Sequence, residues 1–286
     1  MIPAPFEYDR AATLDEAVAK LAAANGSARL LAGGHSLVPL MKLRLAEPAR
    51  LIDIGHIPGL SGIREKDGRI EIGAGTVHHD VASSALLRQQ CPAVVDAAAA
   101  IGDLQVRNRG TLGGSLAHAD PAADYPAAML AADADMHIVG PKGWRTVKAD
   151  RFFRDLFTVD LAADEILAAV RVSPARASAY SKLYQRASHF AIVGVAAAIE
   201  VNNGTIRSAR IGVTGAGPCA VRLAKVEQAL AGQPASKDAC AAATQDAGAD
   251  LPVVNADLHA SEDYRRAMIA VFARRALEEA IHLPRR

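Results

Sequence analysis

Ala32-Gly33-Gly34-His35-Ser36 and Thr111-Leu112-Gly113-Gly114-Ser115 are the stretches whose reading decides this chain. Each is expected to follow a strand. Glycine accepts positive φ and carries no Cβ, so successive amides in such turns can converge on an anion. Ser36, Thr111 and Ser115 add hydroxyls beside those amides. Neither stretch is a P-loop, because no Gly-Lys-Ser/Thr follows, and neither is the G-x-G-x-x-G dinucleotide fingerprint. Alone, each reads as an ordinary tight turn. Together, rich in hydroxyls and free of carboxylates, they point to a bound pyrophosphate. No lysine stands beside them, which argues against phosphoryl transfer.

Around these turns the chain is well punctuated. Thr13-Leu-Asp-Glu16 is a capping box that opens a helix over 14–24, with Leu14, Ala17, Val18 and Leu21 on one face. Strands are predicted over 29–32 and 50–54. Residues 1–57 then form a small βαβ-like unit with the glycine turn after its first strand. A hairpin over 59–75 turns at Asp67-Gly68. Thr76 is placed as the cap of a helix over 77–90, followed by an Ala-rich helix over 93–101. The densest punctuation is Arg107–Ser115. A short helix follows Ala117–Pro126, and strands over 135–140 and 165–172 bracket Phe152, Phe153 and Phe157. Ser173-Pro174 marks a boundary. Beyond it come strands over 180–186, 191–201 and 205–212, with Asn203-Gly204 as a hairpin turn. Helices over 221–230, 236–247 and 262–281 close the chain. The class is α+β, in units 1–57, 58–174 and 175–286.

Length divided by about 150 predicts two domains or three small ones. Lys and Arg total 32 against 31 Asp and Glu, a net charge of +1 that offers nucleic acid no attracting field. No apolar run approaches the ~20 residues of a membrane helix, and the start lacks the pattern of a signal peptide. A cytoplasmic location is therefore expected. Cys91, Cys219 and Cys240 are far apart, so the chain matches no usual iron–sulfur or zinc pattern. Ser36 lies outside a G-x-S-x-G elbow, which removes the hydrolase reading. His78, His79 and His118 lack any metal-ligand spacing and read as surface or capping residues. Asp120 and Asp124 flank Pro121 as loop-structuring carboxylates.

The paired motifs Ala-Gly-Gly-His-Ser and Thr-Leu-Gly-Gly resemble those of the FAD-binding medium subunits of molybdenum hydroxylases, the xanthine dehydrogenase family, and within it the carbon monoxide dehydrogenase branch. The resemblance spans nearly the whole chain. It includes Pro3-x-x-Phe6-x-Tyr8, Leu37-Val-Pro-Leu-Met-Lys-Leu-Arg44, Gln105-Val-Arg-Asn-Arg-Gly110 and Ser261-x-x-Tyr264-Arg265-Arg266. It implies an FAD-binding fold of the vanillyl-alcohol-oxidase (PCMH) type in two subdomains, plus a C-terminal α+β domain with an antiparallel sheet.

Carried over residue by residue, the resemblance assigns the diphosphate to Ala32, Gly33, Gly34, His35, Ser36 and Leu37, with Leu31 preceding them. Gly110, Thr111, Gly113, Gly114 and Ser115 reach the diphosphate and ribityl side, with Ile101 and Ala117 flanking. Asp124 meets ribityl or adenosine hydroxyls, Ile166 and Leu167 flank the adenine, and Lys182 stands near the flavin ring. Phe190 falls where some relatives place an aromatic ring, and is equally readable as core. The chain departs from the pattern at two positions: relatives often carry Asn at Ser115, and Asp near His189. Some flavin oxidases of this fold attach FAD through a His in a similar turn, whereas these subunits hold it non-covalently, and the latter is expected at His35.

The function the resemblance implies is that of an electron-transfer subunit. Its FAD passes electrons from [2Fe-2S] clusters of a small partner to an external acceptor, and a large partner carries the molybdenum cofactor. The expected assembly is a dimer of heterotrimers, cytoplasmic or peripheral at the inner membrane face. An autonomous flavin oxidoreductase and a non-catalytic flavin-carrying docking protein remain as alternatives.

Overall fold

A computed structural model describes residues 2–282. The first unit runs β1 (Glu7–Arg10), α1 (Leu14–Ala23), β2 (Ala28–Leu31), α2 (Leu37–Lys42) and β3 (Arg50–Asp53). Its three strands are parallel in the order β1-β3-β2. The cap forms with its return bond on the residue before Thr13. Thr13 Oγ1 accepts from the Glu16 amide at 3.1 Å, and the Glu16 carboxylate accepts from the Ala12 amide at 2.7 Å. Strand β1 has no signature in the sequence, because Glu-Tyr-Asp-Arg lacks apolar alternation; it is an edge strand with no buried residue. The first glycine turn therefore follows the second strand, not the first.

The second unit opens with β4 (Ile63–Lys66) and β5 (Arg69–Gly73), and Asp67 and Gly68 between them take φ of 53° and 71°. That is the type I′ geometry expected of an Asp-Gly pair. A single helix over 77–90 is corrected to α3 (His78–Ser83) and α4 (Ala85–Gln90). Ser84 breaks it at ψ 114° and caps α4, its hydroxyl accepting from the Leu87 amide at 3.2 Å. Thr76 does not cap α3: its hydroxyl accepts from the Gly62 amide at 2.9 Å instead. Then come α5 (Pro92–Ala99), α6 (Leu104–Arg107), α7 (Leu112–His118), α8 (Tyr125–Ala131), β6 (Asp135–Gly140) and β7 (Gly143–Lys148). The unit ends with α9 (Ala149–Phe152), the small hairpin β8 (Phe153–Asp155) and β9 (Thr158–Val159), and β10 (Ile166–Val172). The main sheet is β4-β5-β10-β6-β7, antiparallel throughout. Strand β7 is likewise silent in the sequence, because Val147 is its only buried residue.

The third unit is the antiparallel meander β11 (Ser178–Tyr184), β12 (Ala191–Asn202), β13 (Thr205–Thr214) and β14 (Val221–Arg222). Helices α10 (Ala224–Leu230), α11 (Lys237–Thr244) and α12 (Glu262–His282) follow, so the helix expected over 221–230 begins only after a two-residue strand. Along α12 the buried positions Arg265, Ile269, Phe272, Ala273, Ala276, Leu277 and Ala280 make one helical stripe.

Strand β12 divides two hydrophobic cores. Val193, Val195, Ala197 and Ile199 face the core shared with α12, while Ala196 and Ala198 face the one shared with the first two units. Period-two alternation between two dry faces explains why its sequence is almost continuously apolar. Helix α8, buried at all seven residues, seals the same junction. Gly212 of β13 lets the backbones meet there, since a Cβ would lie 2.3 Å from the Ala127 carbonyl oxygen.

Candidate functional site

The two glycine turns touch. A Cβ on Gly33 would stand 2.3 Å from the Arg109 carbonyl oxygen and 2.7 Å from Gly110 Cα, so only glycine lets the first turn rest on the second. Gly34 takes φ 76°, which glycine adopts freely. Its carbonyl accepts from the Val38 amide at 3.0 Å as α2 begins. His35 and Ser36 are exposed, Leu31, Ala32 and Leu37 are half-buried, and the Ser36 side chain makes no capping bond.

The second turn is built differently. It follows the short helix α6 rather than the strand the sequence suggested. The Arg107 guanidinium ties α6 back by donating to the carbonyls of Ile101 at 2.8 Å and Gly102 at 2.9 Å. A backbone seam then runs alongside: His78 amide to Gly110 carbonyl at 2.9 Å, Leu112 amide to Thr76 carbonyl at 2.9 Å, and Gly113 amide to Ala74 carbonyl at 2.8 Å. Thr111 caps α7, its hydroxyl accepting from the Gly114 amide at 3.1 Å. Cβ atoms would clash at Gly110, 2.6 Å from His78 Nε2, and at Gly113, 2.4 Å from Ala74 Cβ. Gly114 is exposed, and a Cβ there would lie 2.8 Å from Thr111 Oγ1. Ser115 and Ala117 lie half-buried along α7.

His78 corrects the expectation of a surface or capping residue: it is 5% exposed, and its Nδ1 lies 3.2 Å from the Tyr125 hydroxyl. Burial first, and then the nearby His35 and Arg107, lower its pKa to about 4. It is a neutral wall behind Gly110. The other histidine of interest, His118, packs its ring 5.2 Å from that of Phe157. Among the described residues no three His, Cys, Asp or Glu side chains are grouped to hold a metal.

The structure brings Asp124 and Lys182 together, but in an internal knot. Asp124 Oδ1 accepts from Lys182 Nζ at 2.7 Å and from the Tyr180 hydroxyl at 2.6 Å. Burial pushes the Asp124 carboxyl upward against the opposing pull of Lys182 and Tyr180. Sequence reasoning overlooked Tyr180, although Tyr180 and Lys182, two apart on a strand, must share a face. Ile166 and Leu167 are buried in β10, paired with Val139 and Ile138, on the sheet against which α7 packs. Phe190 is 50% exposed and so is not core. It lines a cleft of about 280 Å³ with Asp120, Gln185, Asn255, Asp257 and Arg265.

These residues fit a flavin dinucleotide at its diphosphate. The first turn presents the amides of residues 33–36 and the Ser36 hydroxyl, the second presents the Ser115 hydroxyl beside the exposed Gly114, and neither carries a carboxylate, a donor set that suits a pyrophosphate.

Residues 4–175 match the FAD-binding domain of molybdopterin dehydrogenases, and residues 178–280 match the CO dehydrogenase flavoprotein C-terminal domain. The carbon monoxide dehydrogenase medium chain of Hydrogenophaga pseudoflava is 41% identical over 98% of both chains. A solved carbon monoxide dehydrogenase structure from that organism, lacking the Mo-pyranopterin moiety of its cofactor, superposes with a TM-score of 0.93 at 42% identity, covering 98% of each chain. Quinoline 2-oxidoreductase from Pseudomonas putida 86 superposes at 0.91 with 30% identity, again over 98% of each chain. The chain thus belongs to the FAD-binding domain family of the molybdopterin dehydrogenases, as a flavoprotein subunit with the C-terminal domain of the CO dehydrogenase type.

Proposed function

We propose that this chain is the electron-transfer subunit of a molybdenum hydroxylase complex. In this reading electrons come from [2Fe-2S] clusters of a small partner and leave for an external acceptor. A large partner bearing the molybdenum cofactor oxidises the substrate, in a cytoplasmic dimer of heterotrimers. The FAD held here would supply the ability to exchange electrons singly or in pairs.

The observation that carries this reading is the seating of Gly33 on Arg109 and Gly110, which makes one cradle of two distant segments. Within it, Ala32–Leu37 would wrap the diphosphate, and Gly110, Thr111, Gly114 and Ser115 would reach its other side and the ribityl chain. His35, at the exposed rim, would act through its backbone, leaving FAD non-covalent. The titratable groups nearby suit a relay better than proton chemistry. His78 is held neutral, and Asp124 is committed to Lys182 and Tyr180.

Re-oxidation tests the proposal without knowledge of the substrate. The assembled complex is photoreduced anaerobically, then mixed with a quinone or NAD, with and without prior removal of FAD. The relay requires FAD-depleted complex to retain reduced clusters that discharge only after FAD is restored. Equal discharge without FAD would defeat it. Acid precipitation should release the yellow colour to the supernatant, and colour in the pellet would overturn the non-covalent assignment.

A further inference from the structure

The stretch from Asp120 to Asp124 leads out of α7 into α8, and the third unit grips it from one side. The buried Thr214 hydroxyl stands 2.7 Å from the Ala123 carbonyl and 3.0 Å from that of Pro121. The Gly215 amide donates to the Pro121 carbonyl at 2.8 Å, and the Ala191 amide to the Ala122 carbonyl at 3.1 Å. At the far end the Tyr180 hydroxyl donates to Asp124 Oδ1 at 2.6 Å. These donors lie on, or directly follow, the three neighbouring strands β11, β12 and β13.

One position lets the phenol reach so far. Tyr180 pairs with Ala196, and Gly194 lies two residues away on the same face of β12, between Lys182 and Thr214. A Cβ on Gly194 would stand 2.1 Å from the Tyr180 hydroxyl oxygen and 3.0 Å from Thr214 Cγ2. Both neighbours are buried, so neither has room to give. The φ of Gly194 is not positive, so glycine serves space there and not backbone conformation.

We infer that Tyr180, seated over Gly194, and Thr214 are positioning residues: through them the C-terminal sheet sets the stretch between α7 and α8, and with it the cradle edge that α7 carries at Gly114 and Ser115. The grip on the stretch stands on these contacts alone. Its consequence for bound FAD rests on the function proposed above.

Carbon-13 spectra of the full chain, labelled at tyrosine Cζ and free of FAD, read the grip directly. The Tyr180 signal is the one that Tyr180→Phe removes. Gly194→Ala should move it, because the phenol loses its carboxylate acceptor. Exchange at the Ala191 and Gly215 amides should speed about tenfold as the stretch is released. Lys182 keeps the Asp124 carboxylate paired in each variant, so no buried charge is stranded. An unmoved Tyr180 signal would overturn the inference. Should Gly194→Ala fail to fold, the double variant G194A/Y180F removes the clashing oxygen and should recover the fold, and a double variant as damaged as the single one would overturn the fit. Thr214→Val should speed the same two amides, whereas Thr214→Ser, which keeps the hydroxyl, should not. Equal exchange in those two variants would remove Thr214 from the grip and overturn its part.

With FAD bound, the midpoint potential and visible circular dichroism of the flavin should shift in Gly194→Ala and Thr214→Val and return toward wild type in Thr214→Ser. A change in stability alone would not move them. Wild-type flavin values in variants whose stretch is released would confine these residues to folding and overturn the positioning role. If the wild-type chain itself bound no FAD, the proposed function would fail while the carbon-13 and exchange results still judged the grip.

Discussion

The two glycine turns share a pattern of residues and differ in what their glycines do. In the first, glycine serves one contact and one dihedral: Gly33 rests on Arg109 and Gly110, and Gly34 takes φ 76°. The residues beyond, His35 and Ser36, stay exposed and uncommitted. In the second, Gly110 and Gly113 are locked into the fold against His78 and Ala74, and Thr111 is engaged as a helix cap. On the proposed function the first turn would receive the ligand, and the second is a structural seam whose outer edge, Gly114 and Ser115, would meet it. Similar sequence therefore carries different energetic weight at the two places.

Gly113→Ala should disturb the second turn most. Its Cβ would sit 2.4 Å from Ala74 Cβ and 2.8 Å from the Ala74 carbonyl oxygen, both rigidly placed. Overpacking of this kind costs about 1–3 kcal/mol or more, so chemical denaturation should show a loss near the upper end together with loss of FAD. A stability within about 0.5 kcal/mol of wild type would mean that the seam yields.

A pH series probes the same seam. His78 has its pKa lowered to about 4, against 6.5 for an ordinary histidine. Between those values the unfolded chain binds a proton that the folded chain refuses, so stability falls as pH drops from 6.5 toward 4. The full loss is on the order of 3 kcal/mol. His78→Asn should flatten that part of the stability profile, and an unchanged acid slope would place the titration elsewhere.

Gly33→Ala should act chiefly on the ligand. Pushing the first turn off the second should weaken FAD affinity at least tenfold, with a stability cost of about 1 kcal/mol because the turn lies near the surface. Equal losses at Gly33 and Gly113 would erase the distinction drawn between them.

The hydroxyls supply the smallest effects. Thr111→Ala should lose about 1 kcal/mol of stability through its cap. Ser36→Ala should leave stability within about 0.5 kcal/mol and lower FAD affinity a fewfold, as measured by titration against flavin fluorescence. A Ser36 variant that unfolds as readily as the Thr111 variant would show that its hydroxyl is structural after all.

Legibility in the sequence divides along the same line between local and long-range contacts. Local signals carry over directly: the Thr13–Glu16 capping box, and the turns Asp67-Gly68 and Asn203-Gly204 with positive φ at all four residues. Edge strands β1 and β7 are invisible because a strand with one dry residue or none lacks the alternation that reveals it. The single helix over 77–90 fails at Ser84, where a capping hydroxyl competes with helix continuation. At the site, the glycines mark both turns, but nothing local shows that Gly33 meets Gly110 across the chain. The three bonds of Lys182 go to segments 82, 58 and 7 residues away. Long-range polar knots of that kind leave no periodic trace.

The relay stands or falls on the visible spectrum of this chain, tagged and drawn gently from its native host. A flavin spectrum overlaid by broad iron–sulfur absorption is the expected result, because the chain should travel with a cluster-bearing partner. A colourless chain would reduce the paired glycines to ordinary turns, and a flavin spectrum that never carries cluster absorption would contradict the relay.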